Sequence, residues 1–232
     1  MLGWVVNHFM PLVTRRAQGR TGVLMHLETN PAIFESGEPP WIGYSFVFPH
    51  DKAELGPPPP GNCPEWWAWA RGNQGVAADR TKARLTIIGD SEATVIVEAL
   101  RIAVVRRTEP LNGRLVVCPV GGADITPRHI AVDLDSFAEA VTNYYDAGGD
   151  PTGRFSFALA RGEAEIFNIE ATASHSYTEW VGELYLLVDG KRQIVHISDQ
   201  GEPFRTTASS HLEALTWTGE KWDLLKEDGL FE

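Results

Sequence analysis

The chain has 232 residues, 43% hydrophobic and 22% charged, with a formal net charge of −11 and two cysteines. That length suits one large domain, and that apolar content excludes a disordered chain. Residues 1–30 hold Arg15, Arg16 and Arg20 against Glu28, so the other 202 residues carry −13, a surface that repels phosphate backbones and excludes nucleic acid as a partner of the main domain.

The first twenty residues, MLGWVVNHFMPLVTRRAQGR, place an apolar run before a basic cluster. Asn7, His8 and Pro11 interrupt it, and neither a basic start nor a small-residue cleavage site is present, which argues against a secretory signal. No run of 18 apolar residues occurs in the chain, so no integral membrane segment is expected. Residues 1–40 read as a loosely structured N-terminal segment with one strand at Thr21–Leu27. WIGYSFVFP, residues 41–49, reads as the next strand, stopped by Pro49. GPPPPG at 56–61 predicts a stiff, extended connector, with an SH3-type docking motif as the sharper alternative.

CPEWWAWARG at 63–72 predicts a short helix: Pro64 suits its first position and Glu65 its positive end. Trp66 and Trp69 then share one face with Ala70, and Trp67 sits one step around. Such indoles could stack against sugars, or they could form a lid over an open end of the main body. Burying each indole stabilises by about 2–3 kcal/mol, which favours the lid, with Trp67 the most exposable. There is no CxxC, so Cys63 and Cys118 read as reduced thiols of a cytoplasmic chain. A single bridge between them would tie the tryptophan segment to a strand.

From residue 84 onward, turn signals such as GD, NG, GG, DG and QGEP recur between runs rich in Val, Ile, Leu, Phe and Thr. Short strands at this spacing predict an antiparallel sandwich. Phe155, Phe157 and Leu159 fall on one face, as do Phe167, Ile169, Ala171 and Ala173. Trp180, Leu184, Leu186 and Val188 continue the pattern, with Glu179, Glu183 and Tyr185 opposite. Asp189-Gly190 predicts a type I′ hairpin turn. In ATVIVEALRIAVVRR the apolar residues change parity across Glu98-Ala99, which predicts an inserted residue there, as a β-bulge or a strand crossing between sheets.

Few residues in this body announce chemistry. GDS at 89–91 resembles the nucleophile turn of SGNH/GDSL hydrolases, but no DxxH precedes His211 and Glu92 stands at a normally apolar position. A plain turn is the better reading. Seven histidines are scattered without HxH or HxxxH spacing, so zinc has no local support. Asp133, Asp135, Asp146 and Asp150 could gather around Ca²⁺ through the DAGGD loop, although acidic turn residues explain them as well. Otherwise no cofactor is expected. Walker A, GxGxxG and GxSxG motifs are absent. In DQGEPFRTT, Arg205 is the candidate to face a ligand. Trp217 and Trp222 are expected to pack back on the body, ahead of an acidic tail at 223–232.

Several runs together resemble a family of uncharacterised actinobacterial proteins: WIGYSFVFP, the tryptophan helix, LRIAVVRRTEPLNG, CPVGGAD, AVDLD, TEWVGELYLLVDG and DQGEPFRTT. The resemblance spans roughly residues 41–222 and carries no established activity or site residues. Some relatives place a membrane or DNA-binding segment ahead of this domain, which implies an accessory or partner-binding role. The short N-terminal segment here matches neither.

The expectation is therefore all-β: an antiparallel β-sandwich, immunoglobulin-like or jelly-roll-like, of eight to ten strands over residues 41–222, with one short Trp-rich helix. The functional expectation is a non-enzymatic interaction or accessory module with an unknown protein partner. The alternative is a carbohydrate-binding sandwich using Trp66, Trp67 or Trp69, assisted by Ca²⁺ at the aspartates.

Overall fold

A computed structural model describes residues 21–34, 44–49, 55–60, 63–92, 94–118, 128–136, 140–146, 148–152 and 155–225. The chain runs β1 (Val23–Glu28), α1 (Pro31–Phe34), β2 (Tyr44–Pro49), α2 (Cys63–Gly72), β3 (Val76–Ala78), β4 (Arg80–Gly89) and β5 (Val95–Thr108). It continues with β6 (Gly113–Cys118), β7 (Arg128–Asp133), β8 (Val141–Tyr145), β9 (Pro151–Thr152), β10 (Phe157–Leu159) and β11 (Ala164–Thr172). The last elements are β12 (Tyr177–Val188), β13 (Lys191–Ile197), β14 (Phe204–Thr207), β15 (Ala214–Trp217) and β16 (Trp222–Leu224). Residues 1–20 and 226–232, with the N-terminal run and most of the acidic tail, lie outside the described residues.

The strands form two sheets packed on a shared core, the all-β sandwich expected. One has six strands in the order β1-β4-β11-β7-β8-β9. The other has ten, β10-β5-β12-β14-β3-β2-β6-β15-β16, with β13 paired on β12. The strands are shorter and more numerous than the expected eight to ten. Both sheets are also mixed rather than purely antiparallel: β11 pairs β7, β14 pairs β3 and β15 pairs β6 in parallel. Each of those partners is separated by intervening elements rather than by a tight turn, and a two-residue hairpin can join only antiparallel strands.

Alternation decides the core. On β12, Trp180, Leu184, Leu186 and Val188 point inward and are buried. They meet Leu85 and Ile87 of β4, Ile130 and Val132 of β7, and Phe167 and Ile169 of β11 in one cluster. Trp180 stacks on Phe204 at 4.4 Å between centroids, and its indole N–H donates to Thr206 Oγ1 at 3.1 Å. The polar end of the largest core side chain is thereby satisfied.

The parity change in β5 is a bulge at the expected place. Tyr185 faces Ala99 and Leu186 faces Val97, so Glu98 is the extra residue. A second shift sets Glu179 opposite Arg106 and Trp180 opposite Val104, leaving Val105 unopposed. The Asp189-Gly190 turn has φ of 50° and 72°, both positive as a type I′ turn requires. A third left-handed residue, Asp79 at φ 61°, sits between β3 of one sheet and β4 of the other. Its carboxylate accepts from Ser209 N at 2.7 Å and Ser209 Oγ at 2.6 Å. Its backbone bonds Thr207 O and Ala173 N. Asp tolerates this conformation better than most side chains, and here it carries the chain from sheet to sheet.

Where β2 crosses β6, Gly113 faces Pro49. A Cβ on Gly113 would overlap the Phe48 carbonyl and carbon, which are backbone and cannot swing away. Gly113→Ala is expected to destabilise by about 2 kcal/mol or more through displaced backbone, read as a lower denaturant midpoint. Gly162→Ala, at φ 82° but with open space around its Cβ, should lose only about 1 kcal/mol.

Candidate functional site

Four tryptophans meet at one place. Trp66 and Trp69 of α2 lie against Trp222, at 6.0 Å edge-on and 5.9 Å stacked respectively. Trp217 meets Trp222 edge-on at 5.1 Å, and Phe48 meets Trp69 at 5.3 Å. Phe46, Ala70, Val116 and Cys118 complete this small second core, with Leu55 packed beside it. The Leu55 carbonyl accepts from Trp222 Nε1 at 3.2 Å. Trp217 and Trp222 thus pack back as expected, and the proline-rich segment begins against their cluster. The ring faces of Trp66 and Trp69 are spent on other rings.

Cys118, on the β6 edge of this cluster, is disulfide-bonded, and no free cysteine occurs among the described residues. This overturns the reading of two reduced thiols. The physical reason is proximity: α2 packs on β2, and β2 pairs along its length with β6. The chain's other cysteine, Cys63, opens α2.

Trp67 turns away from the cluster's centre and carries the Arg71 guanidinium over its ring at 4.7 Å. Arg71 also pairs with Asp199 at 2.7 Å and reaches Thr29 Oγ1 at 3.5 Å. The group ties the helix to the DQGEP loop and to the β1–α1 connection. Burial pushes the Asp199 carboxyl above its usual value of 3.8, outweighing the pull of Arg71 and Arg205. Arg205 itself stands on β14, exposed, beside Glu179 in register.

The four aspartates are not brought to one point. Asp133 caps its own turn through Asp135 N at 2.9 Å and Ser136 Oγ at 2.9 Å. Asp146 Oδ1 accepts from Gly148 N at 2.8 Å and Asp150 N at 3.0 Å, closing the β8–β9 hairpin. Among the described residues, no group of three or more His, Cys, Asp or Glu side chains could hold a metal ion. These carboxylates do turn work, which composition alone could not separate from metal binding.

Asp135 has a longer reach. It accepts from Ser174 N at 2.5 Å, His175 N at 3.1 Å and Ser176 Oγ at 2.7 Å. Burial alone would raise its pKa, but these three hydrogen bonds and the nearby His175 prevail and hold it below 3.8. With Arg107, Thr108, Glu109, His175 and Ser176 it lines an open polar recess of about 430 Å³. The trio of Asp135, His175 and Ser176 is not in acyl-transfer order. Ser176 Oγ bonds Asp135 and Thr178, and the His175 side chain, 86% exposed, touches Asp135 at 3.5 Å. A serine nucleophile needs its hydroxyl on the imidazole. Beside them Arg107 donates to the Leu134 carbonyl, and its buried Nε has no protein partner.

A further feature is the outward face of β5, β12 and β13. Leu187 lies beside Ile96 on one side and Arg192 on the other. Tyr185 lies between Ala99 and Ile194, Glu183 between Arg101 and His196, and Val181 beside Ala103. Ile96, Ile194 and Val105 are 37%, 47% and 57% exposed. Three carboxylates share the face and all are engaged. Glu98 pairs with Arg192 at 3.3 Å, and Glu183 accepts from Tyr185 Oη at 2.8 Å. Glu179 accepts from Tyr177 Oη at 2.7 Å and lies 4.0 Å from Arg106. Burial and that bond to Glu179 push the Tyr177 hydroxyl up to about 12.

No protein-family model matches the chain, and no curated protein matches its sequence. The resemblance to uncharacterised actinobacterial proteins rests on the quoted segments alone. Among the described residues, no helix is long and apolar enough to cross a membrane. The alternation on β12 already set Glu179, Glu183 and Tyr185 on the face opposite the core. The sequence did not show that β5 and β13 would flank them with exposed Ile96 and Ile194.

Cys118→Ser is expected to lower stability by about 2–4 kcal/mol in denaturant titrations, and thiol reagents should label no cysteine of the unreduced folded chain. Asp135 works oppositely with pH from Asp199. Because its folded pKa is depressed, Asp135 stabilises fully well above 3.8, and that contribution is lost as pH falls below 3.8 through the folded value. Asp135→Asn should therefore cost about 1–3 kcal/mol at neutral pH and leave a flatter acid limb in a pH series of denaturant midpoints.

Proposed function

We propose that this chain is a non-enzymatic protein-interaction module that docks a partner on the outward face of β5, β12 and β13. The observation that carries the reading is the set of aliphatic side chains that face holds in water: Ile96, Val105 and Ile194, the last two near half exposed. Single exposed aliphatics are ordinary, but three on one sheet face, with ion pairs among them, have the mixed apolar and polar anatomy of an interface. Leu187, Tyr185 and Val181 continue the apolar surface along the central strand.

Two further observations support it. Asp135, His175 and Ser176 are held in an order that serves loop structure. Of the indoles that would make a sugar platform, Trp66 and Trp69 pack against each other and against Trp222, and Trp67 carries Arg71 over its ring. The carbohydrate reading is the weaker for that reason.

A photo-reactive amino acid placed at Ile194 in cells making the full chain should yield a cross-linked adduct of discrete mass. The same group at Asn143, outward-facing on the six-stranded sheet, should yield none. Absence of any discrete adduct at Ile194, or equal adducts at both positions, would refute docking through this face.

A further inference from the structure

We infer that the segment docking on this face is an extended strand carrying two carboxylates four residues apart, with an apolar residue midway between them. This rests on the reading of the face as an interface and names the chemistry of its partner.

The basis is the charge left over once internal pairs are made. Glu98, Glu179 and Glu183 are each engaged within the face, as are Arg192 and Arg106. Arg101 lies over the Tyr185 ring at 5.0 Å, which occupies one flat side of the guanidinium and none of its N–H donors. No carboxylate lies within ion-pair distance of Arg101 or of Arg205 among the described residues. Both are exposed. The face carries four arginines, Arg101, Arg106, Arg192 and Arg205, against three glutamates, Glu98, Glu179 and Glu183, so on a chain of net charge −11 its own balance is positive. A complementary partner presents acids.

Register supplies the spacing. Arg101 aligns with Glu183 on β12, and Arg205 aligns with Glu179 from β14 on β12's other side. Four residues along a strand are about 13 Å and two strand spacings about 10 Å, so the two Cα atoms stand about 16 Å apart. The midpoint of that diagonal falls on Val181, with Ala103 beside it. An extended peptide puts residues i, i+2 and i+4 on one face over about 13 Å. The two flexible arginine side chains take up the remainder. The pattern is acid, any, apolar, any, acid. A helix would need its acids about eleven residues apart to cover the same distance, with no single residue seated on Val181. Ile96, exposed further along β5, then lies beyond Arg101 for a further apolar residue of the same segment.

The experiment is selection of a displayed random peptide library on the full chain, with counter-selection on Arg101→Glu/Arg205→Glu. Both substituted side chains are exposed, and circular dichroism and thermal unfolding establish that the variant folds. Enriched peptides should carry two Asp or Glu residues four apart around a Leu, Ile, Val or Phe. A synthetic peptide of that pattern should bind the wild type at least about tenfold more tightly than the double variant. Its affinity should also fall when salt is raised from about 50 to about 500 mM. Enrichment of peptides lacking the acidic pair, equal binding to the double variant, or no enrichment would overturn the proposal. An adduct at Ile194 alongside such a result would keep the docking face and reject only the acidic partner. Loss of both would reject the face itself.

Discussion

Side chains along a strand alternate between two faces, and in this chain the alternation is broken twice within one element. β5 is 14 residues long and pairs with β12 along nearly its whole length. Without the extra residue at Glu98, the set Leu100 and Ile102 would turn to solvent while Val95 and Val97 stayed inside. With it, all four are buried. The same insertion leaves Arg101 outward beside Glu183, and the second one displaces Val105 into solvent and returns Arg106 to the outward row. Core and exposed face are consequences of one constraint on register. A slip of one residue would exchange them.

The tryptophans belong to a separate piece of physics. The ten-stranded sheet extends past the main core through β2, β6, β15 and β16, where its apolar side chains form a second, smaller core. α2 completes that core with Trp66, Trp69 and Ala70, the i, i+3, i+4 set of a short helix. A ten-residue helix is marginal alone. Packing on Phe46 and Phe48, the stack on Trp222 and the Arg71–Asp199 pair hold it in place. Since Asp199 is buried enough to raise its pKa, that ion pair fixes position more than it adds stability.

Polar groups show the same economy. Asp79, Asp135 and Asp146 each satisfy backbone donors of a turn or a sheet-to-sheet connection. Each is a short acidic side chain doing what neighbouring backbone could not do for itself. The outward face of β5, β12 and β13 departs from this pattern. Its three carboxylates each bond a neighbour on the same face, while Arg101 and Arg205 make no ion pair among the described residues and Ile96, Val105 and Ile194 stay exposed.

Much of the architecture was legible in the residues themselves. The parity change at Glu98-Ala99, the Asp189-Gly190 turn, the inward row of Trp180, Leu184, Leu186 and Val188, and the helix at CPEWWAWARG all follow from local rules of period and turn conformation. The return of Trp217 and Trp222 follows from the cost of leaving indoles in water. Which strands became neighbours did not follow: β7 beside β11, or β15 beside β6, joins segments far apart in sequence, and no local period encodes such pairings. The state of Cys118 depended on β2 standing between α2 and β6. The partners of Asp135 lie about forty residues along the chain, so its role was hidden behind that of an ordinary turn aspartate. The outward face was half written, since β12 spelled its own alternation. Only the tertiary structure decided that Arg101 from one neighbour and Arg205 from another would stand on either side of Val181, because lateral strand order is fixed by packing of the whole core and not by any one strand.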